Sequence, residues 1–482
     1  MSCSAAGRRL LKATARRSLP GLALTLFLFA FHTSAAFCQQ ENESRVPERE
    51  TQSQKAAGKA AAKSEQLIPG GEITYGQVLA DPDNVQLNFQ YAKRQISRGD
   101  LKGVAATLER ILLIQPDLAQ VRLLYGIVLF RLDNLEESER SLKAVQGMQI
   151  SPSLREEVAG YLRQIKLRRK RTRFTATLSA GMQYDTNRNA APDKERRYFA
   201  NAIVHLTGDS LARRDSSVIG ITSLEVVHDL GMQGGHELFA SFDHYIAEQT
   251  DVDQLDLQSF SAEGGGVIKT PWVDFTPSLF ASHILLSRET FLRTQGTGFR
   301  FDRPLTPRLH LFQNTRWARE EYSGISENPV AHERTGDSLE ISLGSEYLLN
   351  PTMRLDLIGT WAEKNTKAPY FDYTEYGAQV RHTWLLGKGQ FLQSAFSYDK
   401  DTYEDPDHAL SGRTRVDSLY RTRLTYGLPV GIVPLLNLLP KSVLNNLGFT
   451  LTAEYFKSQS KLLNYKYGNM KVQGLFTKKF EF

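Results

Sequence analysis

From Phe174 to Phe482 the chain reads as short segments in which apolar and polar residues alternate, separated by turn signals. The clearest segment is FTATLSAGMQYD, where Phe174, Ala176, Leu178, Ala180, Met182 and Tyr184 share one side and Thr175, Thr177, Ser179, Gly181, Gln183 and Asp185 the other. A period of two predicts a strand with one apolar face. In a soluble sandwich that face would meet a second sheet. A strand of about 9–11 residues, apolar outside and polar inside, suits a barrel with lipid around it and water within it.

Further strands are predicted at Gly336–Tyr347, Met353–Lys364, Tyr376–Leu386, Val416–Leu428, Gly448–Phe456 and Met470–Phe482. The last sets Val472, Phe476, Phe480 and Phe482 against Gln473, Thr477, Lys479 and Glu481, with Leu475 and Lys478 as exceptions. Short turns at 350–351 and 387–389 alternate with long polar loops at 321–334 and 401–412, which places the long loops outside the cell. About fifteen segments qualify as strands, but such barrels have even counts, and at about 22 residues per strand and loop the 309 residues after Arg173 predict about 14. Arg415, Asp417, Arg421 and Arg423, with Glu340 and Glu346 on another strand, are candidate lumen residues of mixed sign.

Upstream the period changes to that of helices. Prolines at 82, 116 and 152 are spaced by 34 and 36 residues, which points to tetratricopeptide repeats. Leu87, Phe89, Tyr91, Ile96, Leu101, Val104, Leu108, Ile111 and Leu112 outline two helices broken at 98–100. The second copy places Tyr125 and Gly126 where that repeat wants a large residue followed by a small one, and a polar capping helix follows at 153–169. Tyr91, Tyr125 and Gly126 are candidate residues of a groove that would hold a peptide or a protein; a packing spacer is the other reading. The basic run KLRRKRTR, 166–173, would either hold lipid phosphates or terminate the helical domain.

Residues 1–36 have the build of a signal peptide, with Arg8, Arg9, Lys12, Arg16 and Arg17 before an apolar run and the small residues Ser34, Ala35 and Ala36 after it. Its removal lowers the formal net charge from +6 to +1, so the pI of about 9.0 is no argument for nucleic-acid binding. Residues 37–72 lack apolar periodicity and read as a disordered linker. Cys38 alone would remain, which excludes an internal disulfide. Bulky Phe37 before it argues against lipidation of that cysteine. With a mean hydropathy of −0.36 and no later apolar run of sufficient length, the membrane must be crossed by a closed barrel.

The fold expected is therefore α + β: a helical periplasmic domain of tetratricopeptide type over 73–170 and a transmembrane antiparallel barrel over 171–482. Segment 428–440, LPVGIVPLLNLLP, is apolar but carries three prolines, so it fits neither a regular strand nor a long helix, and loop parity puts it on the periplasmic side. No Ser/His or Asp/His spacing supports catalysis; His228, His244, His283, His310 and His382 are expected within strands. No cysteine joins a His cluster, so no metal or cofactor is expected.

A short helical-repeat domain, a basic junction and a barrel opening on GMQYDTNRNAAP resemble the surface lipoprotein assembly modulator (Slam) family of outer-membrane translocons. Tyr184, Asp185, Asn187, Asn189, Ala191 and Pro192 look like that family's signature. The resemblance implies transport of lipoproteins or secreted proteins from periplasm to surface, with the helices inside and the barrel as conduit. The implied partners are the exported cargo, a periplasmic chaperone, the barrel assembly machinery, which reads a terminal aromatic, and membrane lipid. A polysaccharide exporter and a solute porin are the other readings.

Overall fold

The computed structural model describes residues 73–482 apart from 233, 327, 434–439 and 441–443. The segments read as signal peptide and linker, with Cys38, lie outside the described residues, as does most of the apolar run after Val433. The described chain forms a helical unit and a barrel.

Among the described residues six helices precede the barrel: α1 Tyr75–Ala80, α2 Val85–Arg98, α3 Leu101–Ile114, α4 Ala119–Arg131, α5 Leu135–Gln146 and α6 Pro152–Arg168. α2 stops at Gly99, whose left-handed φ of 76° suits a residue without a side chain. Asp100 then caps α3 by accepting the Gly103 amide at 2.9 Å. The design repeats 34 positions later, where Asp133 takes the left-handed conformation and the Asn134 side chain caps α5. Two helical hairpins result.

α4 is apolar all round because it is covered on both sides. Val121, Leu124 and Val128 pack with Val104, Leu108 and Ile111, while Leu123, Ile127 and Phe130 pack with Leu142, Val145, Val158 and Ile165. Burying a side chain of this size stabilises by about 1.5–3 kcal/mol, so the central helix anchors the unit.

Fourteen strands form the closed barrel. They are β1 Thr172–Asp185, β4 Asp215–Asp229, β5 Glu237–Gln249, β6 Leu257–Val267, β7 Asp274–Leu286, β8 Glu289–Thr306, β9 Leu309–Tyr322, β10 Gly336–Asn350, β11 Met353–Thr366, β12 Tyr373–Gly387, β13 Gln390–Tyr403, β14 Val416–Pro429, β15 Leu447–Ser460 and β16 Tyr467–Glu481. A small hairpin, β2 Arg196–Phe199 and β3 Ala202–His205, lies in the loop after β1. Strands are sequential neighbours, and β16 closes against β1. The five histidines expected in strands lie in β4, β5, β7, β9 and β12.

Which face is lipid follows from exposure. In β1 Phe174, Leu178, Met182 and Tyr184 are exposed, while Thr177, Ser179, Gln183 and Asp185 are buried toward the lumen. Outward aromatics form two levels: Tyr376 stands opposite Trp361 on β11, and Trp384 follows eight residues along β12. That separation is roughly 26 Å along the strand at about 3.3 Å per residue. Strand tilt shortens it, consistent with an apolar band about 25 Å tall between aromatic girdles. This is the architecture of an outer-membrane barrel.

Two-residue turns at 307–308, 351–352 and 388–389 occupy one rim, and the loops at 186–214, 323–335 and 404–415 the other. The long-loop rim also holds a tight turn, Ser287 and Arg288, both with positive φ. On the short-turn rim, the apolar segment starts with Pro429 ending β14 opposite Gly448, followed by a single 3-10 turn, Val430–Ile432.

Candidate functional site

The conduit of such a protein would be its lumen, and the inner wall is charged. A charge removed from water is tolerated only when paired, so register decides which residues meet. On β14, Arg421 and Arg423 face inward, and Arg423 is the cross-strand partner of Glu454, which in turn faces Lys471 on β16. Glu454 thus joins three cations: Arg423 at 2.6 Å, Arg421 at 3.2 Å and Lys471 at 3.6 Å.

A second network holds Arg354 against Asp356 at 2.9 Å and Glu346 at 3.4 Å, with Arg381 3.7 Å from Asp356. A third skips a strand: Lys364 of β11 reaches Glu320 of β9 at 2.5 Å across β10, and the Tyr322 hydroxyl donates to Glu320 at 3.0 Å. The intervening inward residues, Gly336 and Ser338, are small enough to leave room, and the Ser338 hydroxyl donates to Glu320 as well.

Arg415 and Asp417 form a buried pair at 2.5 Å, with the Arg415 guanidinium stacked 3.5 Å from the Tyr465 ring centre and 4.3 Å from that of Tyr403. Asp417 is also the outer end of an acidic row, because Glu375 faces Asp401 and Asp401 faces Asp417 in register. Neither Asp401 carboxylate oxygen, both buried, has a hydrogen-bond partner among the described residues.

The long-loop mouth is capped. Ala190, Leu410, Leu462 and Tyr465 from the loops pack on the inward residues Leu419, Phe456 and Tyr467. On the other side Val252, Leu255, Ile325 and Ala331 pack on Leu257, Ile284, Leu286 and Tyr322. The loops also bond to one another. The Ala200 amide donates to the Ala409 carbonyl at 2.9 Å, and the Tyr198 amide to the Asn464 side chain at 2.8 Å. Burial, then a hydrogen bond to Glu333, holds the Tyr370 phenol in this cap above its ordinary range.

The candidate signature residues sit where the cap meets the barrel seam. Tyr184 faces outward, whereas Asp185, Asn187 and Asn189 are buried. Asn187 closes the turn by bonding both the amide and the carbonyl of Ala191 at 2.9 Å, and it donates to the Gly468 carbonyl at 3.1 Å. Asn469, at the start of β16, donates to Asp185 at 2.8 Å and accepts from the Asn187 amide at 3.0 Å. Asn189 spans the far end of the loop, from the Leu211 carbonyl at 2.7 Å to the Arg213 amide at 2.9 Å. These residues fasten the first loop to the last strand.

In the helical unit Tyr91 is half-buried, its ring 6.0 Å from that of Tyr75, and Tyr125 packs at the edge of the α3/α4 cluster. Burial, followed by Glu109 and Glu137, raises the Tyr125 phenol. Gly126 is not a groove residue. It is buried at the α4/α5 crossing, where a Cβ would lie 2.9 Å from Leu142 Cγ and where its carbonyl accepts from the Ser138 hydroxyl at 2.7 Å. Two cations of the basic run are engaged within the helical unit: Arg168 lies 4.1 Å from the Phe130 ring centre and Arg169 pairs with Glu139 at 2.5 Å.

Glu320, Arg354, Asp356, Lys364, Arg381 and Glu454 were not singled out by sequence reasoning. Strand parity puts each of them inward, but their partnerships depend on register.

No family model and no curated protein matches this chain. Solved structures do. Acinetobacter baumannii OccAB3 is 12% identical, with 64% of this chain and 99% of that one covered, at a TM-score of 0.32. Pseudomonas aeruginosa OprD is 11% identical over 64% and 95%, at 0.33. A Pseudomonas aeruginosa FadL homologue is 10% identical over 65% and 90%, at 0.37. This likeness is one of fold at most and carries no residue or substrate to this chain.

Proposed function

We propose that this chain is an outer-membrane translocon that delivers exported proteins, lipidated or secreted, from the periplasm to the cell surface. The supporting observation is the union in one chain of two helical hairpins, repeating at 34 residues between Gly99 and Asp133, with a closed barrel. Stacked hairpins of this kind offer extended surfaces for a polypeptide. A solute porin has no use for them. On this reading the helical unit is of tetratricopeptide type and lies in the periplasm, and Tyr91 and Tyr125 border the cargo-holding surface. The GMQYDTNRNAAP resemblance to the surface lipoprotein assembly modulators points the same way. Cargo passes through or along the barrel, and its folding or capture at the surface makes transport directional.

A photo-cross-linking amino acid placed at Tyr91 or Tyr125 in living cells tests this reading. It should trap a specific exported protein in transit. If surface proteins are delivered normally while neither position cross-links to any of them, the reading fails.

A further inference from the structure

The lipid-facing surface is not uniform. On β14 and β15 the exposed outward residues include Tyr420, Leu424, Leu451 and Tyr455. On β7, β8 and β9 the same parity brings out His283, Arg293, Gln295 and Arg319 instead. These border a groove of about 380 Å³ on the outer face of β5–β9.

The groove has a physical cause. Its floor is the cross-strand pair Ala262 and Ala281, both small outward side chains, and Phe242 and Phe260 wall it on one side. His244 stacks on Phe260 with ring centres 4.6 Å apart and fixes that wall. On the other side the register sets Gln295 beside Ala281, Arg293 beside His283, Arg319 beside Gln295 and the exposed Glu321 beside Arg293. The cleft therefore has an apolar floor and wall and a charged edge of two arginines and one carboxylate, in which Arg319 is already paired with Asp337.

Height matters as much as chemistry. Arg319 lies three residues short of Tyr322, and Arg293 four residues beyond Glu289, each counted from the long-loop end of its strand. That is roughly 10–13 Å along the strand, the depth of a headgroup layer rather than of acyl-chain centres. An arginine facing lipid costs little near the interface and far more at the midplane. Arg319 is held by Asp337 of β10 at 3.0 Å, while Arg293 is exposed at the groove edge.

We propose that this groove is a binding site for a phosphorylated, acylated glycolipid of the outer leaflet, the lipid A portion of lipopolysaccharide. One acyl chain lies on Ala262 and Ala281 beside Phe242 and Phe260, and a sugar phosphate meets Arg293, with Gln295 and Arg319 as further donors. The inference rests on the outer-membrane placement of the barrel and not on protein transport.

The test is native mass spectrometry and titration of the full detergent-solubilised chain with purified lipid A, beside phosphatidylglycerol. Arg293→Ala and Ala281→Leu remove the cation and fill the groove separately. Lys400→Ala, an exposed cation on β13 opposite Tyr376, is the control. Folding of every variant is read from the heat-modifiable shift of the barrel on a gel. The expected result is lipid A retained on the wild type, with affinity reduced about tenfold by either groove variant, unchanged by Lys400→Ala and tighter than for phosphatidylglycerol. Equal affinity for the two lipids, equal loss with Lys400→Ala, no loss in folded groove variants, or dimers in place of lipid would overturn it.

Discussion

Arg423 on β14 and Glu454 on β15 stand directly opposite each other inside the barrel, their charged groups 2.6 Å apart. Because Glu454 also serves Arg421 and Lys471, one carboxylate holds three cations on the inner wall. Removing it leaves all three without their shared counter-charge. Glu454→Gln should destabilise the barrel by about 3 kcal/mol, more than Arg423→Met, which removes one of three contacts. Urea unfolding in detergent micelles measures both; a loss below about 1 kcal/mol for Glu454→Gln would show that water already screens the network.

Asp401 has the opposite character. It is buried in register between Glu375 and Asp417, and Arg415 pairs with Asp417. Asp401→Asn removes a charge that has only like neighbours in its row. It should leave unfolding resistance unchanged or raise it, whereas Asp417→Asn, which strands Arg415, should lower it. A clear loss for Asp401→Asn would mean that its carboxylate has a partner in the working protein.

The Asn187 side chain makes three hydrogen bonds that tie the first loop to itself and to β16. Replacing it with alanine leaves the buried amide and carbonyl of Ala191 without these partners, at about 1–3 kcal/mol for each, and removes a bond to the half-buried Gly468 carbonyl. The barrel should still form, but residues 186–214 should become cleavable by protease added to whole cells. A loop as resistant as the wild type would remove the fastening role from this residue.

Two carboxylates in the helical unit respond to pH with opposite sign. Hydrogen bonds from Lys143 and then Arg169 hold Glu139 below the usual carboxylate range, so its contribution is present at neutral pH and is lost as pH falls below that range. Burial raises Glu157, so its ionised form costs stability at neutral pH and protonation relieves that cost as pH falls through the raised value. Glu157→Gln should therefore slow amide exchange over residues 152–168 of the full chain at pH 7, with the difference shrinking toward pH 4. Faster exchange at pH 7 would contradict the sign.

The barrel was legible where alternation is strict. In β1 the outward apolar and inward polar sets fall as the period of two requires, and β10, β11 and β14 begin at the positions where the pattern begins. The stretch from 215 to 322 was harder to read, because Gly264, Gly265 and Gly266 in β6, Pro277 in β7 and Pro304 in β8 interrupt the pattern, and outward Thr297, Gln313 and Thr315 blur it. The two-turn helix α1 and the β2–β3 hairpin are too short to show a period at all. Of the lumen, Arg421 and Arg423 were visible from parity, but their convergence on Glu454 depends on register, which turn geometry sets. Asp185 and the asparagines after Tyr184 stood out as a pattern, yet the bonds of Asp185 and Asn187 to β16 reach across nearly 300 residues of chain, while those of Asn189 close the far end of its own loop.

Protein delivery is tested most directly by comparing surface-exposed and secreted proteins in a deletion strain complemented with the full chain or with a chain lacking residues 73–168. One or two proteins should be retained in the periplasm of the deletion strain. The full chain should release them, and the chain without its helices, its barrel still folded, should not. An unchanged protein profile, with or without loss of a surface polysaccharide, or full rescue by the barrel alone, would contradict it.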